Sequence, residues 1–212
     1  MDVDDGRDGR RLEGENGTDV SHAGGTARVG RPVDDRMWLR PLTLDDAPVI
    51  ASWAEDVQLC READWSVGLP HESHLAFWRD LIEAAPRELI RLGAVSGGDL
   101  VGYVDLHGSD PGRRELGFLI GVRPRWGHGL GHRAATAALE YGFRDMRLGE
   151  VWAEALDANQ RSVRLLQRLG MRETGRGDEG EFLGRPSFYR RFALMSSQWR
   201  RPPSGAPREQ LG

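Results

Sequence analysis

From Val122 to Ala134 the chain reads Val-Arg-Pro-Arg-Trp-Gly-His-Gly-Leu-Gly-His-Arg-Ala, with Gly127, Gly129 and Gly131 at alternate positions. Glycines so spaced let the backbone turn tightly and bring its N–H groups close to a ligand. A helix expected from about Gly129 to Phe143 adds unpaired N–H donors and the positive end of its dipole. Together these make an anion site suited to a pyrophosphate. Arg123, Arg125 and Arg133 stand beside it, placed to pair with further phosphates. A glycine-rich strand-to-helix turn that holds no ligand would read the same way. Downstream, Asn159 opens another expected helix, where asparagine is a favoured N-cap.

A rival fingerprint overlaps these glycines. Gly129 to Ala134 matches GxGxxA, and Glu150, Glu154 and Asp157 lie about 20 residues on, where a ribose-binding acid belongs. A nucleotide-dependent oxidoreductase is therefore a second reading. Against it, several residues separate Val122 from the fingerprint, the strands upstream are joined by hairpins, and only one further βα unit follows.

The elements that must position these residues can be read from periodicity. Met37–Thr43 begins as a strand, and Thr43 caps a helix carrying Ala47, Ile50, Ala51 and Trp53 on its apolar side. Val57–Leu69 reads as irregular. His71–Ala85 is helical, with Leu75, Trp78, Leu81 and Ile82 at core spacing. Arg87–Val95 and Leu100–His107 form a hairpin about Ser96–Asp99, and Arg114–Val122 is the next strand. After the glycine loop and its helix come a strand at Glu150–Leu156 and a helix at Asn159–Leu169, closed by Gly170. Met171–Thr174, a polar loop and Ser187–Met195 finish as a strand pair. The order βααβββαβαββ predicts an α/β fold on a mixed central sheet with helices on both faces.

Composition bounds the rest. The chain has 212 residues, 39% hydrophobic, and a net charge of −4. The apolar deficit sits in residues 1–36 and 200–212, which are expected to be disordered tails around one domain, 37–199. That balance offers no basic footprint for nucleic acid. The chain contains no lysine, so any bound phosphate meets arginine or backbone N–H groups. Cys60 is the single cysteine, which rules out an intramolecular disulfide framework and fits a reducing compartment. No N-terminal apolar stretch of a secretory signal and no run of membrane-spanning length is visible, so a cytoplasmic protein is expected. His71 and His74 lack the further ligands of a metal site, and none is expected.

Val101-Gly102-Tyr103-Val104, Glu115-Leu116-Gly117-Phe118, Trp126 to Gly131, Asn159-Gln160-Arg161-Ser162, Leu169-Gly170-Met171 and Phe192-Ala193-Leu194 occur in that order. In this order and spacing the chain resembles the GNAT superfamily of acyl-CoA N-acyltransferases over nearly all of Met37–Trp199. It looks most like the branch that includes ribosomal-protein-alanine N-acetyltransferases. Gly129 and Gly131 match the family's Gln/Arg-x-x-Gly-x-Gly/Ala pattern, with Trp126 at the Gln/Arg position. The resemblance implies a GNAT-like sheet and acetyl-CoA as co-substrate. Its pyrophosphate would be held by backbone N–H groups of Gly127, His128, Gly129, Leu130, Gly131 and His132, flanked by Arg125 and Trp126. Val122 would hold the pantetheine arm and thioester carbonyl, and Asn159 would hydrogen-bond the pantetheine.

The same resemblance implies chemistry and partners. Glu115 lies where the superfamily often carries its general base, with Asp105 and Glu154 as backups. A tyrosine that many members place seven residues after the asparagine is here Leu166. Ser162 is the replacement to assist the leaving thiolate, and Tyr189 a more distant one. The absent tyrosine leaves open a GNAT-like sensor that binds acyl-CoA without turnover. The expected acceptor is a primary amine on a protein N-terminus or small molecule, and a homodimer is left open. Glu55, Asp56, Glu62 and Asp64 on one side, and Glu173, Asp178, Glu179 and Glu181 on the other, would favour a cationic acceptor.

Overall fold

The computed structural model describes residues 36–200. The tails expected to be disordered lie outside those residues, apart from Arg36 and Arg200. In chain order the elements are β1 (Met37–Pro41), α1 (Ala47–Ser52), α2 (Val57–Glu62), α3 (His71–Glu83), β2 (Leu89–Ser96), β3 (Asp99–His107), β4 (Arg113–Ile120), α4 (Leu130–Arg144), β5 (Glu150–Leu156), α5 (Gln160–Arg168), β6 (Arg172–Phe182) and β7 (Arg185–Met195). Short 3-10 turns flank α1 at Leu44–Asp46 and Trp53–Glu55, and another lies at Arg123–Arg125.

The strands make one seven-stranded sheet in the order β1-β2-β3-β4-β5-β7-β6. Every neighbouring pair is antiparallel except β4 with β5. That parallel pairing is short. It joins Arg113 to Glu150, Arg114 to Val151 and Glu115 to Trp152, and there it stops. Beyond Glu115 the two strands part, although β4 stays paired with β3 up to Ile120. A sheet that splits in this way leaves backbone groups facing the gap, where a ligand can satisfy them.

Two apolar clusters hold the sheet, one on each face. On one face α4 and α5 contribute Leu130, Ala134, Ala138, Leu139, Val163 and Leu166, packed on Leu116, Ile120, Val151, Ala153 and Phe192. On the other, Ile50, Trp53, Leu59 and Trp78 cover Val95, Leu100 and Tyr103. Helix α4 lies close to the sheet because its inner face is alanine, and Ala134, Ala135 and Ala138 are fully buried. Two glycines permit close approaches that a side chain would forbid. A Cβ on Gly102 would stand 2.1 Å from the Leu119 carbonyl oxygen, and one on Gly121 would stand 1.9 Å from the Trp53 ring.

The expected fold class holds, and the elements follow the expected order with one additional helix before β2. Three local expectations need correction. The first helix is split, because Asp46 does two jobs. It accepts from the Thr43 N–H (2.8 Å) and holds Arg40 through both oxygens at 2.6 and 2.7 Å, which tightens Leu44–Asp46 into a 3-10 turn. The stretch read as irregular contains α2, whose N-terminus is capped by Asp56 accepting from the Gln58 and Leu59 N–H groups (3.0 and 3.2 Å). The polar loop before β7 is strand β6, which extends to Phe182 and turns back through Leu183 and Gly184, both at positive φ. As an edge strand it is mostly exposed, so it carries no apolar alternation to read.

Candidate active site

A cavity of about 390 Å³ lies at the parting of β4 and β5. Its walls come from four places: the end of β4, the loop leading into α4, the first turns of α5, and α2. The loop behaves as its glycines require. Gly127 and Gly129 take φ values of +83° and +79°, and Gly129 is the left-handed N-cap of α4. Nothing lies within 4 Å of where their Cβ atoms would be, so the need for glycine here is one of backbone conformation. The first N–H groups of a fifteen-residue helix then face the cavity without intrahelical partners.

Arg125, Trp126, Gly127, Gly129, Leu130, Gly131, His132, Asn159 and Ser162 all line this cavity. Asn159 caps α5, its Oδ1 accepting from the Ser162 N–H at 3.2 Å. Burial lowers the pKa of the His132 imidazole, which favours its neutral form. His128 is outside the lining, exposed, with Nδ1 3.1 Å from the Trp126 carbonyl. Val122 borders a separate open groove with Trp53, Asp56 and Gly121. Of the arginines expected beside the phosphates, only Arg125 lines the cavity. Arg123 is instead ion-paired with Asp56.

The sequence reading missed the cavity's other cations. Arg161, Arg164 and Arg168 project from α5, spaced three and four residues apart, and that spacing was the signal available. Arg161 also does structural work. Its guanidinium sits over the Trp126 ring (4.5 Å to the centroid) and pairs with Glu62 of α2 at 3.0 Å. Trp126 is anchored from the other side, its indole N–H donating to the Ile120 carbonyl at 2.8 Å. The tryptophan thus fixes the loop against the end of β4.

Glu115 does not line the cavity. It is the last β4 residue paired with β5, at the point where the strands part. Its carboxyl is half-buried, and burial raises its pKa above the ordinary value; the charge of Glu154 adds to that rise. His107 and Arg113 act in the opposite sense. The two backup carboxylates are occupied. Asp105 holds Arg91 through both oxygens at 2.6 Å, and Glu154 is paired with Arg191. Trp65 is part of an aromatic stack with His74 and Trp78.

The acidic walls are less negative than their residue count implies. Asp56 is paired with Arg123, Glu62 with Arg161, Glu173 with Arg190 and Glu179 with Arg176. Asp64 and Glu181 line one open pocket with Arg61, Trp65 and Leu183. Among the described residues no cluster of three or more metal-ligating side chains is present, and no helix is long and apolar enough to cross a membrane. Among the described residues the fold gives the dinucleotide reading no support, since β4 and β5 are the one parallel pair and no doubly wound half is present.

Comparison with known proteins agrees with this geometry. The family model of the acetyltransferase (GNAT) domain matches residues 36–172. The uncharacterized N-acetyltransferase p20 of Bacillus licheniformis is 23% identical over 150 residues, covering 66% of this chain and 82% of that protein. The uncharacterized protein YkkB of Bacillus subtilis is 35% identical over 57 residues, covering 27% of this chain and only 33% of its own length. Among solved structures, spermidine N-acetyltransferase from Vibrio cholerae, in complex with CoA and spermine, superposes with a TM-score of 0.66 at 18% identity. That match covers 77% of this chain and 97% of the other.

Proposed function

The chain belongs to the acetyltransferase (GNAT) domain family, and on that premise we propose that it transfers an acetyl group from acetyl-CoA to a primary amine. The observation that carries this reading is the cavity at the parting of β4 and β5, with an anion-binding helix start at one side and Glu115 at the point of separation. The donor set suits acetyl-CoA. Gly127 and Gly129 to His132 offer backbone N–H groups, and Arg125, Arg161, Arg164 and Arg168 offer charge for phosphates. Asn159 and Ser162 offer polar side chains to the pantetheine, against the apolar walls of Phe118, Ile120 and Leu165. Bound acetyl-CoA supplies the activated acyl group.

The protein's part is proton handling and placement. A primary amine must lose a proton to attack, and Glu115 is the base in this reading. Its raised pKa brings it nearer to working pH, where a base is most effective. Ser162 donates a hydrogen bond to the departing sulfur. The acceptor enters from the face bearing Glu115, between α2 and the β6–β7 hairpin, past Asp64 and Glu181. A cationic acceptor suits that entry, and the spermine bound by the Vibrio relative is one example of such an amine. A protein N-terminus, as in the ribosomal-protein-alanine branch, is another.

Calorimetric titration with acetyl-CoA, followed by thiol release with an alanine-terminal peptide, spermidine and an aminoglycoside, tests the reading. Micromolar binding of acetyl-CoA with turnover of one acceptor supports it. Absence of acetyl-CoA binding overturns it, and binding without turnover of any amine marks a sensor instead.

A further inference from the structure

At the parting of the strands, Glu115 is registered with Trp152 of β5. Strand alternation puts Glu154, two residues on, on the same face as Trp152 and at the first such position past the split. Across the β5–β7 ladder, Glu154 is registered with Arg191, and the two side chains form an ion pair. The pair is packed against the backbone of β6. A Cβ on Gly177 would stand 3.0 Å from Glu154 Oε1 and 3.2 Å from Arg191 Nε. Three strands therefore fix one carboxylate–guanidinium pair beside Glu115.

Other charged groups also surround Glu115, among them His107 and Arg113, which lower its pKa. From β3, His107 is registered directly with it, and Asp105 is held by Arg91 through both oxygens. From β4, Arg113 is bound to Glu150 at 2.8 Å and lies over the Trp152 ring. From β6, Asp178 acts on Arg191. His107 and Arg113 oppose the rise at Glu115 itself, while Arg191 is the cation bound directly to Glu154 and so offsets that negative field at its source.

We propose that Glu154 and Arg191 are positioning residues for Glu115, their ion pair setting the pH at which the Glu115 carboxylate accepts the proton of the amine. The proposal rests on the reading of Glu115 as the base. A like charge nearby disfavours ionisation, and a cation that neutralises it relieves that effect. Removing Glu154's charge therefore lets Glu115 ionise at lower pH. Removing Arg191 leaves Glu154 uncompensated, so Glu115 ionises at higher pH.

The test uses the full chain and two readouts. Carboxyl carbon NMR follows the titration of Glu115 without any acceptor. The pH profile of kcat/KM, with the fastest amine of the panel above, follows its role in turnover. The expected result is a shift of both the titration and the acid limb to lower pH in Glu154→Gln. Both shift to higher pH in Arg191→Gln, and Arg191→Lys restores the wild-type positions. Shifts in one common direction, or none, overturn the proposal, because a merely structural pair would lower rate or stability without moving the limb oppositely. Glu115→Gln separates the two readings. It should lower kcat/KM at least about tenfold at neutral pH and abolish the acid limb. A limb that survives Glu115→Gln removes Glu115 as the base, while the NMR titrations still report whether the pair controls it.

Discussion

The sheet divides at the parting of β4 and β5 into two halves built by different means. The half from β1 to β4 is covered on both faces, with α4 on one side and α1 to α3 on the other. Its strands approach so closely that Gly102 has no room for a methyl group. The half formed by β5, β7 and β6 buries one face through Val151, Ala153, Phe192 and Leu194. Its other face carries partly buried Trp152 and Glu154 and exposed Arg191. There the order is set by arginine–carboxylate pairs: Glu154 with Arg191, and Glu173 and Asp157 with Arg190. Packing tolerates no change of volume, whereas exposed pairs contribute little and adapt easily. The proposed chemistry sits at the seam, between a rigid half that carries the glycine loop and a compliant half ordered by ion pairs.

The largest effect should come from breaking the rigid half. Gly102→Ala drives a Cβ into a backbone carbonyl that cannot move alone. It should cost about 3 kcal/mol, read as a lower midpoint of urea unfolding. A near-neutral result would show that β3 and β4 can slide apart, and would erase the contrast. At the seam, Gly129→Ala places a side chain in the left-handed region, which costs about 1–2 kcal/mol. Because that Cβ meets open space, the loop should relax. Acetyl-CoA affinity should fall about tenfold by calorimetry while thermal stability barely changes.

Ion pairs sharpen the comparison further. Hydrogen bonds from Arg40 lower the pKa of Asp46, which is buried in the rigid half. A group depressed in the folded state contributes stability above its unfolded pKa, and that contribution is lost as pH falls through the folded value. Asp46→Asn should therefore be less stable than wild type at neutral pH, with the gap closing on acidification below the ordinary aspartate range. Thermal unfolding across pH checks this, and a constant gap contradicts it. The smallest effect belongs to the compliant half. Glu179 is exposed and 3.6 Å from Arg176, so Glu179→Gln should leave the unfolding midpoint unchanged within error.

Much of this was legible in the sequence where a residue's role is local. The glycine loop declares its backbone needs by residue type, and the alternation of Leu116, Phe118 and Ile120 against Glu115 and Gly117 marks β4. The α4 alanines mark a helix that lies close to its neighbours. What was not legible depends on partners distant in the chain. Helix α2 is six residues long, and its clearest local signal was Asp56 as N-cap. Strand β6 is ordered by its ladder with β7 and not by burial of its own side chains. The cavity wall from α2 includes Leu59, buried in the second core cluster, and Glu62, which meets Arg161 ninety-nine positions later. The acids expected to attract a cation were counted correctly, but their pairing with arginines is a property of the folded chain.

Every ion pair described uses arginine, apart from one weak contact of His71 with Glu55. For the acyl-thioester chemistry proposed above this has a consequence. A lysine ε-amine is a nucleophile that such a donor can acylate, erasing the charge of any pair it belongs to. A guanidinium stays protonated and does not compete for the acyl group. With no lysine anywhere in the sequence, the described ion pairs would be inert to such a donor. The scaffold cannot be worn down at its side-chain amines by self-modification.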